Sequence, residues 1–200
     1  MKRLAAFALL GIAAYVAIDV LLVFLRPRFS VLHSAESDYG SRGAYAWVMD
    51  ANFLLRCAFS VAVAALLPSR LRVARALLVV WAVGSGLLAF FPDDPVGTAQ
   101  TTSGKVHGAL ALIVFASVIV GTRLASRTLG SRLLVALSWV AIVPILLTAH
   151  TRFRAHSLGG LYEKVFLAIE IAWLAVVAAR VAGWQSKVSP RPRTASRQRA

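Results

Sequence analysis

Phe90-Phe91-Pro92-Asp93-Asp94 and Gly104-Lys105-Val106-His107-Gly108 bound a polar loop that separates two apolar runs near the middle of the chain. Proline has no backbone N–H and cannot continue a helix interior, so Pro92 predicts the end of one helix. The second stretch opens the next apolar run. The break therefore places an acid pair and a histidine at the same end of two consecutive helices.

Apolar runs like these recur along the whole chain. Hydrophobic residues make up 59% of the 200 residues and the mean hydropathy is +0.74, above the roughly half apolar content of soluble domains. The run over residues 4–25 would rise about 33 Å as a helix, enough to cross the hydrocarbon core. It is too long for a signal-peptide core, so we expect it to be retained.

The pattern predicts an all-α integral membrane bundle of six transmembrane helices. The predicted spans cover residues 4–25, 48–67, 76–91, 106–120, 133–149 and 165–182. Together they form one membrane domain, residues 1–183. Residues 184–200 are rich in Arg, Pro and Ser and lack an apolar period, which predicts a basic, disordered cytoplasmic tail attracted to anionic lipid.

Basic residues are divided unequally between the two sides of this bundle. The chain ends and one set of alternate loops hold fourteen of the 22 Lys and Arg residues, and the opposite loops hold seven. Because Lys and Arg accumulate in short cytoplasmic loops, both termini are predicted to be cytoplasmic, in a multi-pass protein of the cytoplasmic (inner) membrane. The charge of +14 is scattered between apolar runs, so the sequence predicts no nucleic-acid partner.

The acids and histidines are gathered on the predicted outer side. All four histidines and six of the eight acids lie in outer loops or at their edges, while Asp19 and Glu170 lie in the outer halves of spans. We therefore predict an outer-facing polar pocket. Its members are His33, Ser37, Asp94, His107 and Glu163, with Asp19, Arg56, His150 and Glu170 beneath or beside them.

Arg56 is a charged residue within a predicted span. Such a group costs about 2.5 to 3.5 kcal/mol on insertion scales, so it usually faces a partner or a wet cavity. One interpretation is a structural ion pair of Arg56 with Asp19 or Glu170 that fixes helix packing. The other is a role in lining a ligand cavity, and the two are compatible.

Histidine and carboxylate side chains are common zinc ligands, and an open coordination position would activate water. The candidates for zinc or another divalent metal are His33, Asp94, His107 and His150, from four different segments. The alternative is that the histidines bond to loop carbonyls or lipid headgroups. Ser37 lies near His33 in sequence, but Ser37-Asp38-Tyr39-Gly40 is also typical of a capped interfacial helix.

The order of these signals resembles the bacterial and archaeal membrane proteins grouped as domain-of-unknown-function family 998. The matching pieces are His33 with Ser37 and Tyr39-Gly40, Phe91-Pro92 with Asp94, Gly104 with His107-Gly108, and Gly160-Leu161-Tyr162-Glu163-Lys164. The resemblance covers most of residues 4–183. It implies a multi-span membrane fold and no established activity.

Three functions follow as hypotheses. The first is a membrane protein whose outer pocket binds a membrane lipid headgroup or a small amphiphile. The second is a metal-assisted hydrolase that acts on a membrane lipid, with the four candidate ligands around its metal. The third is a structural subunit whose outer loops contact a membrane protein partner.

Overall fold

The computed structural model describes residues 1–95, 97–151 and 157–188, and for residues 184–188 it describes the helix without the side chains. The helices are α1 (Lys2–Leu25), α2 (Ala46–Leu66), α3 (Arg72–Leu88), α4 (Thr102–Leu129), α5 (Arg132–Val140), α6 (Ile142–Thr151) and α7 (Gly159–Val188). A short 3₁₀ helix, Ser37–Gly40, lies between α1 and α2. No strand occurs in the described residues, so the all-helical prediction is confirmed.

In the part of the chain that the structure describes, five helical segments are long and apolar enough to cross a membrane. They are Lys2–Leu25, Ala46–Leu66, Thr102–Leu129, Arg132–Thr151 and Gly159–Gly183. The fourth of these is α5 and α6 together, interrupted at Ala141. The remaining helix, α3, has 17 residues and packs between α2 and α4. Six helical segments are thus present where six were predicted, and five of them have the length and composition of a span.

Several helices extend beyond their predicted apolar runs. α4 continues past residue 120 to Leu129 and ends where Gly130 adopts a left-handed φ of 64°. α7 begins at Gly159 rather than residue 165 and continues to Val188. Polar residues in the added turns form hydrogen bonds with other helices and loops, as Ser126 does with Trp173 and Glu163 does with Glu36. The helices predicted from hydropathy alone are therefore shorter than the observed ones. Residues 189–200 of the predicted tail lie outside the described residues.

The packing brings the start of α1 and the end of α7 to one end of the bundle. α1 packs against α2 and α7, and α3 packs against α2 and α4. The Leu161 N–H at the start of α7 donates to the Leu32 carbonyl oxygen after α1, at 2.9 Å. α1 and α7 are therefore antiparallel. The cytoplasmic position of the termini stays a prediction.

Two ends of the bundle can now be defined. The loop end comprises residues 26–45, 89–95 and 97–101 together with the first turns of α4 and α7. The terminal end comprises Met1, residues 67–71, residues 129–132 and the last turns of α7. Between them, Trp81, Phe59, Trp173 and Phe166 are fully buried in one apolar core. This core holds the helices in register, so that the polar side chains of four separate segments meet at the loop end.

Candidate functional site at the loop end

The loop end is built around a buried ion pair between Arg56 of α2 and Glu36 of the loop after α1. Arg56 is 1% exposed, and its Nη1 lies 2.8 Å from Glu36 Oε2. The Tyr15 hydroxyl of α1 donates to the other Glu36 oxygen. Arg56 Nε donates to Ser85 Oγ of α3 at 3.1 Å. One charged pair therefore ties together three helices and the loop that covers them.

Aromatic rings surround the Arg56 guanidinium on its remaining sides. Its central carbon lies 5.0 Å from the Phe53 ring centroid and 5.1 Å from the Trp81 ring centroid. At such distances the negative ring faces attract a cation, most strongly where water is excluded. The pocket around Arg56 therefore stabilises a guanidinium in particular, with its planar shape and several donors.

A second buried cluster joins Ser37, Asp93 and His107. Ser37 Oγ donates to Asp93 Oδ2 at 2.6 Å, and His107 Nε2 lies 3.8 Å from the same oxygen. His107 Nδ1 lies 2.6 Å from the Phe91 carbonyl oxygen, which can only accept, so this nitrogen carries the hydrogen. The serine proton thus points to the carboxylate and not to the histidine. This geometry fastens the loop between α3 and α4 onto the 3₁₀ helix.

Asp94 organises the start of α4. Its Oδ2 accepts from the Thr101 N–H at 2.6 Å, and its Oδ1 accepts from the Thr101 hydroxyl at 3.1 Å. Thr101 in turn caps the helix by accepting from the Gly104 N–H at 3.1 Å. A Cβ on Gly104 would lie 2.1 Å from Asp94 Oδ2. The glycine is therefore required where the carboxylate crosses the first turn of α4.

The first turns of α7 dock against the loop that carries Glu36. Glu163 Oε1 accepts from the Glu36 N–H at 3.1 Å, and Lys164 Nζ donates to the Ser34 carbonyl oxygen at 2.5 Å. Gly160 packs so closely that an added Cβ would lie 2.1 Å from the same Ser34 oxygen. Burial in this region, together with the neighbouring Asp38 carboxylate, raises the pKa of the Tyr39 phenol.

The space between these contacts is small at the centre and larger at the sides. A central cavity of about 10 Å³ has room for about one water molecule. A lateral cavity of about 170 Å³ lies between α1, the loop after it and α7. An outward groove of about 390 Å³ lies between residues 28–42 on one side and residues 92–95 and 98–103 on the other. Among the described residues of the loop end, these three spaces have room for a water or a ligand.

The predicted pocket residues are distributed over these spaces. Ser37, Arg56, His107 and Glu163 line the central cavity together. Asp19 lines the lateral cavity, and Asp94 lines the outward groove. His33 and His150 are exposed, and His33 Nδ1 lies 2.9 Å from the Ser157 carbonyl oxygen. Glu170 is buried in α7 at 1% exposure, and neither of its oxygens has a hydrogen-bond partner among the described residues.

Within the described ranges, no group of three or more His, Cys, Asp or Glu side chains is arranged to hold a metal ion. The candidate ligands have other contacts, as His107 has with the Phe91 carbonyl oxygen and Asp94 with Thr101. The metal set of His33, Asp94, His107 and His150 stays a prediction. His156 lies outside the residues that the structure describes.

The sequence analysis missed the partner of Arg56. The ion pair is made with Glu36 and not with Asp19 or Glu170, because the loop after α1 folds back into the bundle. Asp19 instead accepts from Asn52 Nδ2 at 2.9 Å. Asp93, rather than the predicted Asp94, lies beside Ser37 and His107. Hydropathy assigns Glu36 to a loop and does not indicate that it is buried in the bundle. Tyr15, a polar residue within a predicted span, was a signal that a buried polar partner lies near this part of α1.

The comparison with protein families gives one result that covers most of the chain. The model of the family described as "Protein of unknown function (DUF998)" matches residues 9–180. This range runs from within α1 to within α7 and includes every side chain of the loop-end clusters. The comparisons with curated proteins and with solved structures give no match.

Proposed function

The chain belongs to the DUF998 family of proteins of unknown function, and we propose that it is a multi-pass membrane protein that binds the headgroup of a membrane amphiphile at its loop end. The observation that carries this proposal is the lateral cavity of about 170 Å³, whose lining combines charged and aliphatic side chains. The predicted outward orientation of the loop end would place this headgroup in the outer leaflet.

The lining of the lateral cavity matches the two parts of an amphiphile. Asp19, Glu36 and Lys164 supply charged groups, while Val20, Val23 and Val31 supply aliphatic surface. Val20 is 55% exposed and Val31 is 41% exposed, so the apolar side opens away from the bundle. The volume is below the roughly 300 to 1,000 Å³ of drug-sized ligand sites. This space suits a headgroup, with the acyl chains remaining in the bilayer along the outer face of α1.

The charges of the cavity favour an ammonium group on the ligand. Glu36 is already paired with Arg56, and Lys164 Nζ is held by the Ser34 carbonyl oxygen. The Asp19 carboxylate accepts a hydrogen bond from the neutral Asn52 amide and forms no ion pair within the described residues. An ammonium with free N–H donors would add charge-assisted hydrogen bonds to the one that the Asp19 carboxylate accepts from Asn52.

Lipid retention by the full chain tests this proposal. Protein purified in mild detergent is exchanged into micelles that contain phosphatidylethanolamine, phosphatidylcholine or phosphatidylglycerol, and bound lipid is counted by native mass spectrometry. We expect preferential retention of phosphatidylethanolamine, because phosphatidylcholine has no N–H donor and phosphatidylglycerol is anionic. Asp19→Asn should reduce this retention about tenfold, since a hydrogen bond to a charged group is worth about 1.5 kcal/mol or more.

Asp50→Asn is the matched control, because Asp50 lies in the first turns of α2 and does not line the lateral cavity. Equal retention of the three lipids by the wild type would contradict the proposal. So would equal losses in the Asp19→Asn and Asp50→Asn variants. The metal-assisted lipid hydrolase and the structural subunit of a membrane complex stay predictions, since no contact of the described residues favours either.

A further inference from the structure

The terminal end contains an apolar cleft that is independent of the loop-end site. The cleft has a volume of about 280 Å³ and lies between the ends of α2, α4 and α7 and the start of α5. Representative lining residues are Leu66, Pro68, Leu129, Leu134 and Val177. Apart from Arg180, every side chain that lines this terminal cleft is aliphatic or proline. Its walls therefore offer a surface suited to a hydrocarbon chain and provide no polar group except at Arg180.

Arg180 is the charged group of the terminal cleft. Its side chain is exposed and makes no hydrogen bond or ion pair with any described residue. This contrasts with Arg56 and Arg26, whose guanidinium groups are buried against protein oxygens. A cation at the rim of an aliphatic cleft, without a partner among the described residues, is complementary to an anion carried on an apolar chain.

The charge around the cleft has one sign. Arg70, Arg127 and Arg132 lie in the adjoining turns and are all exposed. None of the eight acids of the chain lies at this end: each belongs to the loop end or to the half of a helix nearer to it. A second copy of the chain, docked end against end through this surface, would bring arginines against arginines. The positive electrostatic potential around the cleft therefore favours an anionic ligand.

We infer that the terminal cleft binds one acyl chain of an anionic phospholipid, with the lipid phosphate against Arg180. The cleft lies at the ends of spanning helices, where the hydrocarbon core meets the headgroup layer. A phospholipid at this position keeps its chain among Leu66, Leu134 and Val177 and its phosphate beside the arginine. Basic pockets between transmembrane helices bind anionic headgroups in this way.

Native mass spectrometry of the full chain released from nanodiscs tests this inference. The nanodiscs contain phosphatidylcholine with one fifth phosphatidylglycerol. We expect the wild type to retain phosphatidylglycerol in excess of its share. Arg180→Ala should lower this retention about fivefold, which corresponds to the roughly 1 kcal/mol of one arginine near an anionic surface. Val177→Trp should also lower it by filling the cleft, while Arg180→Lys should preserve part of it.

Arg72→Ala is the matched control, because Arg72 lies at the same end in an exposed position and does not line the cleft. Equal losses in Arg180→Ala and Arg72→Ala would overturn the inference, since the attraction would then belong to the whole basic face. Unchanged retention in a Val177→Trp variant that elutes as the wild type does would also overturn it. A shift from dimer to monomer in that variant, without loss of lipid, would assign the cleft to a second copy instead.

Discussion

The two ends of this bundle are stabilised in different ways. At the loop end, charged groups are buried and paired, with Arg56 against Glu36 at 2.8 Å. At the terminal end, the arginines of the turns are exposed, and the buried polar contact is between neutral groups: Trp173 Nε1 donates to Ser126 Oγ at 2.8 Å. Among the described residues, charge is buried and paired at the loop end, while the arginines in the turns of the terminal end are exposed.

The buried pair at the loop end has a structural role beyond its own stability. A buried ion pair is rarely the most stable solution, because well-packed apolar residues of similar volume are often as stable or more so. The Arg56–Glu36 pair also holds the Glu36 loop against α7, since the Glu36 N–H donates to Glu163 Oε1. We therefore interpret the pair as a device that fixes the loop which forms one wall of the lateral cavity.

The largest effect is expected from removing one member of this pair. Arg56→Met should lower the free energy of unfolding by about 3 to 5 kcal/mol, because it leaves the Glu36 carboxylate buried without its cation. Denaturant titration in mixed micelles, followed by circular dichroism, measures the change. Arg72→Met removes an exposed arginine of the terminal end and should change the stability by less than about 0.5 kcal/mol.

The double variant Arg56→Met with Glu36→Gln sharpens the interpretation. Removing both charges should recover part of the lost stability, since no uncompensated charge then remains. If Arg56→Met and Arg72→Met had similar effects, the contrast between buried and exposed charge at the two ends would be wrong.

The close approach of α7 to the Glu36 loop gives the next largest effect. Gly160→Ala would place a Cβ 2.1 Å from the Ser34 carbonyl oxygen, and a backbone atom cannot yield as a side chain can. We expect a loss of about 2 kcal/mol, within the usual range for overpacking. Gly108→Ala is the control, because a Cβ there has no neighbour within 4 Å. Thermal unfolding of both variants should show a lower midpoint for Gly160→Ala alone.

The all-helical architecture could be predicted from the sequence, because a helix that crosses a bilayer needs a long apolar run and hydropathy detects such runs. The central motif predicts a helix that ends at Pro92 and a histidine at the start of the next helix; α3 ends at Leu88, four residues before Pro92, and His107 lies in the first turns of α4. Hydropathy was insufficient for the ends of the helices. The extra turns of α4 are held by contacts such as Ser126 with Trp173, and these depend on α7, far away in sequence.

The candidate site was only partly predictable, for a related reason. The sequence places Ser37, His107 and Glu163 on one side of the membrane, and they do line one cavity. It does not say that the loop after α1 folds inward, which brings Glu36 to Arg56. Depth in a bundle is a property of the packing, so a residue that hydropathy assigns to a loop can become the central partner of a buried charge.

A moderate effect is expected from the neutral contact at the terminal end. Ser126 Oγ accepts from Trp173 Nε1 and donates to the Leu134 carbonyl oxygen at 3.0 Å. Ser126→Ala should cost about 1 kcal/mol, the typical contribution of a hydrogen bond between neutral groups. The same denaturant titration measures it, with Ser69→Ala, at an exposed position in the turn before α3, as the control. A loss as large as that of Arg56→Met would remove the difference in strength between the two ends.

The smallest effect concerns a cation–aromatic contact of the terminal half. The Arg123 guanidinium lies 3.3 Å from the Trp139 ring centroid, and Trp139 is 55% exposed. A contact of this kind at an exposed site contributes about 0.5 kcal/mol, against more where the cation is desolvated, as Arg56 is between Phe53 and Trp81. Arg123→Ala should therefore lower stability by about that amount.

Arg127→Ala, one turn further along α4, should leave stability unchanged, because none of the described residues forms an ion pair with Arg127. If Arg123→Ala were instead as disruptive as Arg56→Met, burial could not be the reason that the loop end depends on its charges.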